Sequence, residues 1–179
     1  MKHIVLFTGH MIDAADRPAP RFPTHKEPIV TEKIKEALQE IKAHYEGELL
    51  GIAGGANGGD IIFHEMCDAL QIPTEIYLAL PEGPYKEASV SFAGEDWDRR
   101  FDRMLDRPLH TLHPENRSHM GTVWERTNIW MLHNALAHGG RNLTLLALWD
   151  GNNGDGPGGT WHMVDVAKKE KAEIRILDL

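Results

Sequence analysis

The stretch Leu49-Leu50-Gly51-Ile52-Ala53-Gly54-Gly55-Ala56-Asn57-Gly58-Gly59-Asp60 decides the fold. It opens as a short apolar run, Leu49–Ala53, without the polar alternation of a half-exposed strand. Such a run is typical of a strand that is buried on both faces of a parallel sheet. A glycine-rich turn follows at once, and from Gly59 to about Gln71 apolar residues recur at helical spacing. Strand, glycine turn and helix in this order predict one βα unit.

The same alternation of strand and helix extends to both sides of this unit. Short apolar runs predict five strands, at His3–Thr8, Leu49–Ala53, Thr74–Ala79, Leu143–Trp149 and Glu173–Leu177. Further helices are predicted after the capping boxes Thr24-x-x-Glu27 and Thr122-x-x-Glu125, around Glu95–Leu105, and from Thr160 onward. We therefore expect an α/β protein, one domain over residues 1–179. Its fold would be Rossmann-like and three-layered, with a mainly parallel sheet of about five strands.

Composition excludes several classes of protein. Among the 179 residues, 41% are hydrophobic and 26% are charged, which suits a packed core and excludes a disordered or fibrous chain. No apolar stretch is long enough for a membrane span, and the first residues lack a signal-peptide pattern, so we expect a soluble, cytoplasmic protein. The single cysteine, Cys67, excludes a disulfide framework and a cysteine-based zinc site. A net charge of −8 disfavours nucleic acid as a partner.

Three strand ends carry unusual residues, and ligands of open α/β sheets bind at the carboxyl ends of strands. The first strand ends in Thr8-Gly9-His10, the second in the glycine turn, and the fourth in Asp150 and the glycine-rich run Gly154–Thr160. Glycine lets the backbone approach a ligand, and the helix that follows favours an anion such as phosphate. Neither loop has the Lys-Ser/Thr of a Walker A motif. The alternative is that these glycines only make tight turns.

These motifs resemble the SLOG superfamily, which includes the DprA/Smf, LOG and YpsA-related proteins. Gly54-Gly55-Ala56-Asn57-Gly58-Gly59-Asp60 is similar to its first glycine signature, and Gly156-Pro157-Gly158-Gly159-Thr160 to its second phosphate loop. Arg126-Thr127-Asn128-Ile129-Trp130-Met131 resembles an element of the YpsA-related branch. The motifs follow the order of the family and span almost the whole chain.

The resemblance implies a nucleotide or nucleotide-derived ligand between the two glycine loops. Some relatives sense nucleotide signals, often in antiviral systems, and others hydrolyse the N-glycosidic bond of nucleoside monophosphates. We expect a sensor or a sequestering protein that needs no cofactor and no metal, with a nucleotide N-glycosidase as the alternative. The ligand-binding residues implied are Gly9, His10, Gly54, Gly55, Asn57, Gly58, Asp60, Arg126, Asn128, Asp150, Gly158, Gly159 and Thr160.

Hydrolysis is less favoured because LOG proteins carry a glutamate shortly after the second loop. This chain has Trp161-His162-Met163-Val164-Asp165 there, which leaves His162 and Asp165 as substitutes, together with Asp60. Asp60 would either bind ribose hydroxyls or simply interact with the helix dipole. Arg126 would bind a ligand phosphate or a neighbouring carboxylate.

Other residues have two interpretations each. In the long segment His10–Pro23, Arg17 and Arg21 would close over a ligand or lie in a solvated loop. Asn128 would contact a base or ribose, or cap backbone groups nearby. His64 would pair with Asp60 or take part in a plain surface pair.

The segment Pro108–Gly121 is the second stretch that exceeds the usual loop length. Its residues His110, His113, Glu115 and His119 fit no standard zinc spacing, so we expect an exposed loop and no metal. The tryptophans of two helices, Trp97 and Trp124–Trp130, would suit a homo-oligomer interface, with core packing as the alternative.

Overall fold

A parallel β-sheet forms the middle layer of the protein. The computed structural model describes residues 2–113, 121–139, 141–154 and 156–179. Within these ranges the sheet has six strands in the order β4-β3-β2-β1-β5-β6, and every neighbouring pair is parallel. The strands are β1 (His3–Gly9), β2 (Leu49–Ala53), β3 (Thr74–Leu78), β4 (Leu109–Thr111), β5 (Leu143–Leu148) and β6 (Glu173–Leu177). The predicted α/β class and three-layer architecture are confirmed.

Helices cover both faces of the sheet. They are α1 (Glu27–His44), α2 (Gly59–Ala69), α3 (Glu82–Ser89), α4 (Glu95–Met104), α5 (Val123–Gly139) and α6 (Thr160–Lys169). Helices α1, α2 and α4 pack on one face, and α5 and α6 on the other. The chain winds from β1 toward β4 on one side and returns to β5 on the other. The direction of winding therefore reverses between β1 and β5.

The unbroken apolar sequence of β1 follows from its place between two cores. Successive side chains of a strand point to opposite faces. Val5 and Phe7 accordingly join the core under α1 and α2, whereas Ile4 and Leu6 join the core under α5 and α6. All four side chains are fully buried, and Phe7 stacks on Phe63 of α2 with 4.7 Å between ring centroids. Each such side chain contributes about 1.5–3 kcal/mol by burial.

Two elements differ from the sequence-based expectation. One strand more than predicted, β4, lies inside the long segment Pro108–Gly121, where an exposed loop is expected. Helix α3 corresponds to none of the predicted helices. Strand β4 has three residues of mixed polarity, too few for a period-two pattern, and it pairs only with β3 among the described strands. Helix α3 contains Gly83 and Pro84, which weaken any helical pattern in the sequence.

Of the two predicted capping boxes, one is confirmed. The Glu125 carboxylate accepts the backbone N–H of Thr122 at 2.7 Å, and Thr122 Oγ1 accepts the N–H of Glu125 at 3.3 Å. The capping box predicted at Thr24 is not formed, so that prediction is wrong. Residues Thr24–Lys26 form a 3-10 turn, no side chain caps the helix, and α1 begins at Glu27.

The tryptophans that suggest an oligomer interface lie largely inside this chain. Trp97 is buried in the core, and Trp124 and Trp130 are partly buried against it. Core packing, the alternative interpretation, therefore accounts for these tryptophans. The formation of a homo-oligomer stays a prediction. None of the helices in the described ranges is both long and apolar enough to cross a bilayer.

Arg100 of α4 joins three helices on one face of the sheet. Its guanidinium donates to Glu65 of α2 through Nε and Nη2, at 2.8 and 2.7 Å, and to Glu27 of α1 through Nη1 at 2.6 Å. Arg100 Cζ also lies 3.8 Å from the centroid of the Trp97 ring. Its side chain is only 10% exposed, so these ion pairs are shielded from water.

We expect Arg100→Ala to lower the free energy of unfolding by about 2 kcal/mol, because it leaves two half-buried carboxylates without their partner. Neighbouring Arg99 makes ion pairs on the same helix but is 65% exposed. Arg99→Ala should change stability by less than about 0.5 kcal/mol. Urea unfolding of the two variants measures the difference, and equal losses would contradict the role given to Arg100.

Candidate functional site

A cavity of about 480 Å³ opens at the carboxyl edge of the sheet. The ends of β1 and β2 form its floor, and the loop from Met11 to Arg21 forms one wall. Side chains of α3 and α5 and the glycine-rich loop before α6 complete it, with Tyr85, Trp124 and Thr160 among them. The cavity therefore lies where the winding of the sheet reverses, which is the usual ligand position in open α/β folds.

Some of the predicted site residues line this cavity and some do not. Those that line it are Gly9, His10, Gly54, Asp60, Asn128, Gly158, Gly159 and Thr160. Those that lie outside its lining are Gly55, Asn57, Gly58, Arg126, Asp150, His162 and Asp165. Asp60 is thus the one predicted catalytic residue that faces the cavity.

Four backbone N–H groups of the glycine turn after β2 donate to acceptors within the protein. The acceptors are Tyr85 Oη for Gly55 (3.0 Å), Asp60 Oδ2 for Ala56 (3.2 Å), the Ser89 carbonyl for Asn57 (2.9 Å) and the His10 carbonyl for Gly59 (3.0 Å). A phosphate at this turn would have to displace those acceptors. Phosphate binding at the first loop stays a prediction.

Asn57 lies outside the cavity lining because its side chain holds the wall together. It is fully buried. Its Oδ1 accepts the backbone N–H of Ile12 at 3.0 Å, and its Nδ2 donates to the carbonyls of Ser89 and Val90 at 3.1 and 3.3 Å. Gly58 beside it has φ +79°, and a Cβ there would lie 2.7 Å from the Ile12 nitrogen. Both residues position the loop after β1 against α3.

Asp60 sits in the first turn of α2 and faces the cavity. Burial raises its pKa to about 7, and the hydrogen bond from the Ala56 N–H opposes that rise only in part. A Cβ on Gly54 would lie 2.6 Å from Asp60 Oδ2 and 3.2 Å from Tyr85 Oη. Glycine is therefore required at this position for the two side chains to come so close to the backbone. Burial, and then the charge of Asp60, also raise the pKa of Tyr85. The Asp60 carboxyl therefore changes charge near neutral pH.

His64 does not form the pair with Asp60 that its spacing allows. It is fully buried, and its Nε2 donates to the Gly54 carbonyl at 2.9 Å while Nδ1 accepts from Thr74 Oγ1 at 2.9 Å. Burial lowers the pKa of His64 to about 3, so the ring is neutral. It supports the turn after β2 from below and is not a surface residue.

The loop after β1 is ordered by its own contacts and faces the cavity. Ile12 and Phe22 anchor it in the core. Asp13 lies at its centre, where its Oδ2 accepts the backbone N–H of Arg21 at 2.8 Å and its Oδ1 lies 3.3 Å from Arg17 Nε. Arg17 Nε also donates to the Ala19 carbonyl at 2.8 Å. Both arginines line the cavity, which favours the ligand-facing interpretation of this loop.

His10 and Asp150 join the ends of β1 and β5. His10 Nε2 lies 3.1 Å from Asp150 Oδ1, and Asn152 donates its backbone N–H to the same oxygen at 3.0 Å. Burial lowers the pKa of His10, and the hydrogen bond to Asp150 opposes this. Partial burial acts to raise the pKa of Asp150, but the hydrogen bonds from Asn152 and His10 outweigh it and the pKa is lowered. Asp150 itself does not line the cavity, but its hydrogen bond holds the His10 side chain there.

The second glycine loop packs against the start of α5. Gly158 has φ +83°, and a Cβ on it would lie 2.3 Å from Trp124 Cβ. Asn128 Nδ2 donates to the Gly158 carbonyl at 2.8 Å and lies 3.2 Å from His162 Nδ1. Asn128 therefore caps backbone groups, the alternative interpretation, while it also lines the cavity. Burial lowers the pKa of His162.

Several other predicted residues have partners away from the cavity. The Arg126 guanidinium donates to the Gly121 carbonyl, and Asp165 pairs with Lys169 at 2.7 Å. Of the histidine segment, His110 lies 3.1 Å from the Glu75 carboxylate, whereas Glu115 and His119 fall outside the described residues. No group of potential metal ligands occurs in the part of the chain that the structure describes.

Sequence reasoning misses Tyr85, Ser89 and Trp124 as cavity residues. The first two lie on α3, the helix that the sequence does not reveal. Trp124 is expected only at an oligomer interface or in the core, and its position beside the Thr122–Glu125 capping box is the signal that could have placed it at the carboxyl edge.

Comparison with known proteins adds no family. No protein-family model matches the chain, and a search of curated proteins gives no matching relative. The SLOG resemblance therefore stays a prediction carried by the motifs.

We expect Asp60→Asn to stabilise the protein increasingly as the pH rises. A carboxyl whose folded pKa is about 7 disfavours folding once it must ionise, and this loss grows between its unfolded pKa of 3.8 and pH 7. Asparagine does not ionise, so the free energy of unfolding of the variant relative to the wild type should grow by about 1–3 kcal/mol from pH 5 to pH 8. Chemical unfolding at both pH values measures it. Asp106→Asn, at an exposed site, is the control, and the same trend there would contradict the assignment.

Gly158→Ala should disrupt the second glycine loop, because its positive φ and the contact with Trp124 leave no room for a methyl group. We expect a loss of about 2–4 kcal/mol in the free energy of unfolding. Gly156→Ala, where a Cβ meets nothing within 4 Å, is the matched control and should stay within about 1 kcal/mol. Thermal melting compares the two, and an unchanged Tm for Gly158→Ala would disprove the packing argument.

Proposed function

We propose that this protein binds a nucleotide or a nucleotide-derived small molecule, in a sensing or sequestering role. The observation that carries the proposal is the cavity of about 480 Å³ at the point where the winding of the sheet reverses. Ligand pockets commonly have volumes of roughly 300–1,000 Å³. The position, the volume and the SLOG-like motifs all agree with a ligand of this size.

The walls suit the parts of a nucleotide. Tyr85 and Trp124, with ring centroids 5.9 Å apart, give an aromatic surface on which a base can pack. The N-terminus of α6 at Thr160 reaches the cavity, and the first backbone N–H groups of a helix favour an anion. Asp60 supplies a carboxyl for sugar hydroxyls.

The positions of the other titratable side chains relative to Asp60 favour binding without turnover. His162 and Asp165, the other two catalytic candidates, lie outside the cavity lining, and His64 is neutral and engaged with the backbone. A second function, N-glycosidic hydrolysis, is supported by one observation. A carboxyl with a pKa of about 7 is suited to general acid–base work near neutral pH.

The experiment is retention of a ligand from a mixed pool. The protein is incubated with nucleoside monophosphates, NAD, ADP-ribose and cyclic nucleotides, and both the ultrafiltrate and the heat-released fraction are analysed by mass spectrometry. We expect one intact compound to be retained. Release of free base with a ribose phosphate would instead establish the hydrolase, and Asp60→Asn should then abolish that release.

A pair of variants ties retention to this cavity. Ala88 of α3 is exposed and lines the cavity, so Ala88→Trp should fill its mouth and reduce retention at least about tenfold. Glu87→Trp places the same side chain on the same helix outside the lining and is the control. Retention of nothing by the wild type, or equal retention by both variants, would overturn the proposal.

A further inference from the structure

We propose that Met11 and Phe92 form a second base-binding platform at the mouth of the cavity, so that the ligand carries two planar bases joined through phosphate. The inference rests on the proposed function and deepens it. It assigns the ligand to the class of dinucleotides, one base of which packs on Tyr85 and Trp124 inside the cavity.

Two large apolar residues of the cavity are exposed to solvent. Met11 is 42% exposed and Phe92 is 47% exposed, and both line the cavity. In the described part of the chain, the other large hydrophobic residues of comparable exposure lie outside the lining: Ile29, Ile129, Trp161 and Ile176. Burying apolar surface of this kind is favourable, so Met11 and Phe92 give the mouth of the cavity an apolar surface that a ligand can cover.

The two residues lie in segments that meet at the Asn57 amide. Asn57 Oδ1 accepts the backbone N–H of Ile12, the residue after Met11, at 3.0 Å. Asn57 Nδ2 donates at 3.3 Å to the Val90 carbonyl, which also accepts the hydrogen bond that closes the 3-10 turn containing Phe92. One buried side chain therefore fixes the backbone of both segments before a ligand arrives, and segments that are already positioned lose little entropy on binding.

The aromatic surface of Tyr85 and Trp124 lies deeper than this platform. Tyr85 is only 4% exposed, and its Oη accepts the backbone N–H of Gly55 in the turn after β2 at 3.0 Å. Helix α3 rises about 6 Å from Tyr85 to Ser89, and Phe92 follows the end of the helix. The two surfaces therefore differ in depth, one enclosed and one at the solvent edge, which suits two bases of one ligand better than a single base.

The chemistry of the platform at the mouth favours a base over the other parts of a nucleotide. A phenyl ring and a thioether both pack well against the face of an aromatic ring. Stacking on an aromatic side chain is open to every base, because every base has a π-face. Neither side chain has a hydrogen-bond donor, so Met11 and Phe92 offer little to a phosphate or to a free sugar.

Isothermal titration calorimetry on the full chain compares ligands with one base and with two. ADP-ribose and diadenosine diphosphate differ only in the second adenine. Adenosine 3′,5′-bisphosphate and the dinucleotide pApA make the corresponding comparison for a phosphodiester linkage. We expect the second base to raise the affinity at least about fivefold in one of the two pairs. Phe92→Ala and Met11→Ala should each remove most of this gain and leave the affinity for the one-base ligand within about twofold.

Ile29→Ala, which shortens an exposed apolar side chain on α1 outside the cavity lining, is the control and should keep the gain. Phe92→Trp retains a flat ring and should keep it too. Equal affinities within both pairs would overturn the inference and leave the proposed function intact. An equal loss of one-base and two-base ligands in Phe92→Ala would also overturn it, since a single base would then lie at the mouth. If the wild type binds none of the four probes at millimolar concentration, the second platform is refuted, and the mixed-pool retention experiment decides the proposed function by itself.

Discussion

The buried amide of Asn57 is the constraint on which the candidate site depends. One side chain satisfies the backbone N–H of Ile12 and the carbonyls of Ser89 and Val90, groups that belong to the loop after β1 and to the end of α3. Leaving buried polar groups of this kind unpaired costs about 1–3 kcal/mol each. The amide therefore fixes two walls of the cavity relative to the turn after β2. Gly58 lets the turn after β2 pack closely against the loop after β1, because its positive φ and missing Cβ make room for that loop.

This arrangement determines the charge pattern of the cavity. Backbone N–H groups of the turn after β2 donate to Tyr85, Ser89, His10 and the carboxylate of Asp60, so an anion at this turn would compete with internal acceptors. The same loop that Asn57 holds carries Arg17 and Arg21 into the lining of the cavity. The amide of Asn57 thus helps to bring the acidic group and the basic groups to the same cavity.

The sequence predicts the parallel core well because the strands β1, β2, β3 and β5 are mostly buried. A short, unbroken apolar run such as that of β1 suits a strand covered on both faces, and the glycine turns mark where the strands end. Strand β4 and helix α3 escape prediction because both are stabilised by their neighbours and not by their own composition. Asn57 shows the corresponding limit for the site. A polar residue in a glycine turn suits a ligand contact and a backbone bridge equally, and only the packed loop distinguishes them.

The surroundings of Asp60 connect the fold to its chemistry. The nearest histidine along the helix, His64, does not orient the Asp60 carboxyl, because it is buried, neutral and bonded to Gly54. Asp60 instead accepts a hydrogen bond from the Ala56 N–H, lies near the Tyr85 hydroxyl and faces the cavity. A loop positioned by Asn57 and a carboxyl that His64 does not contact suit a site that recognises a molecule and holds it intact, as we propose.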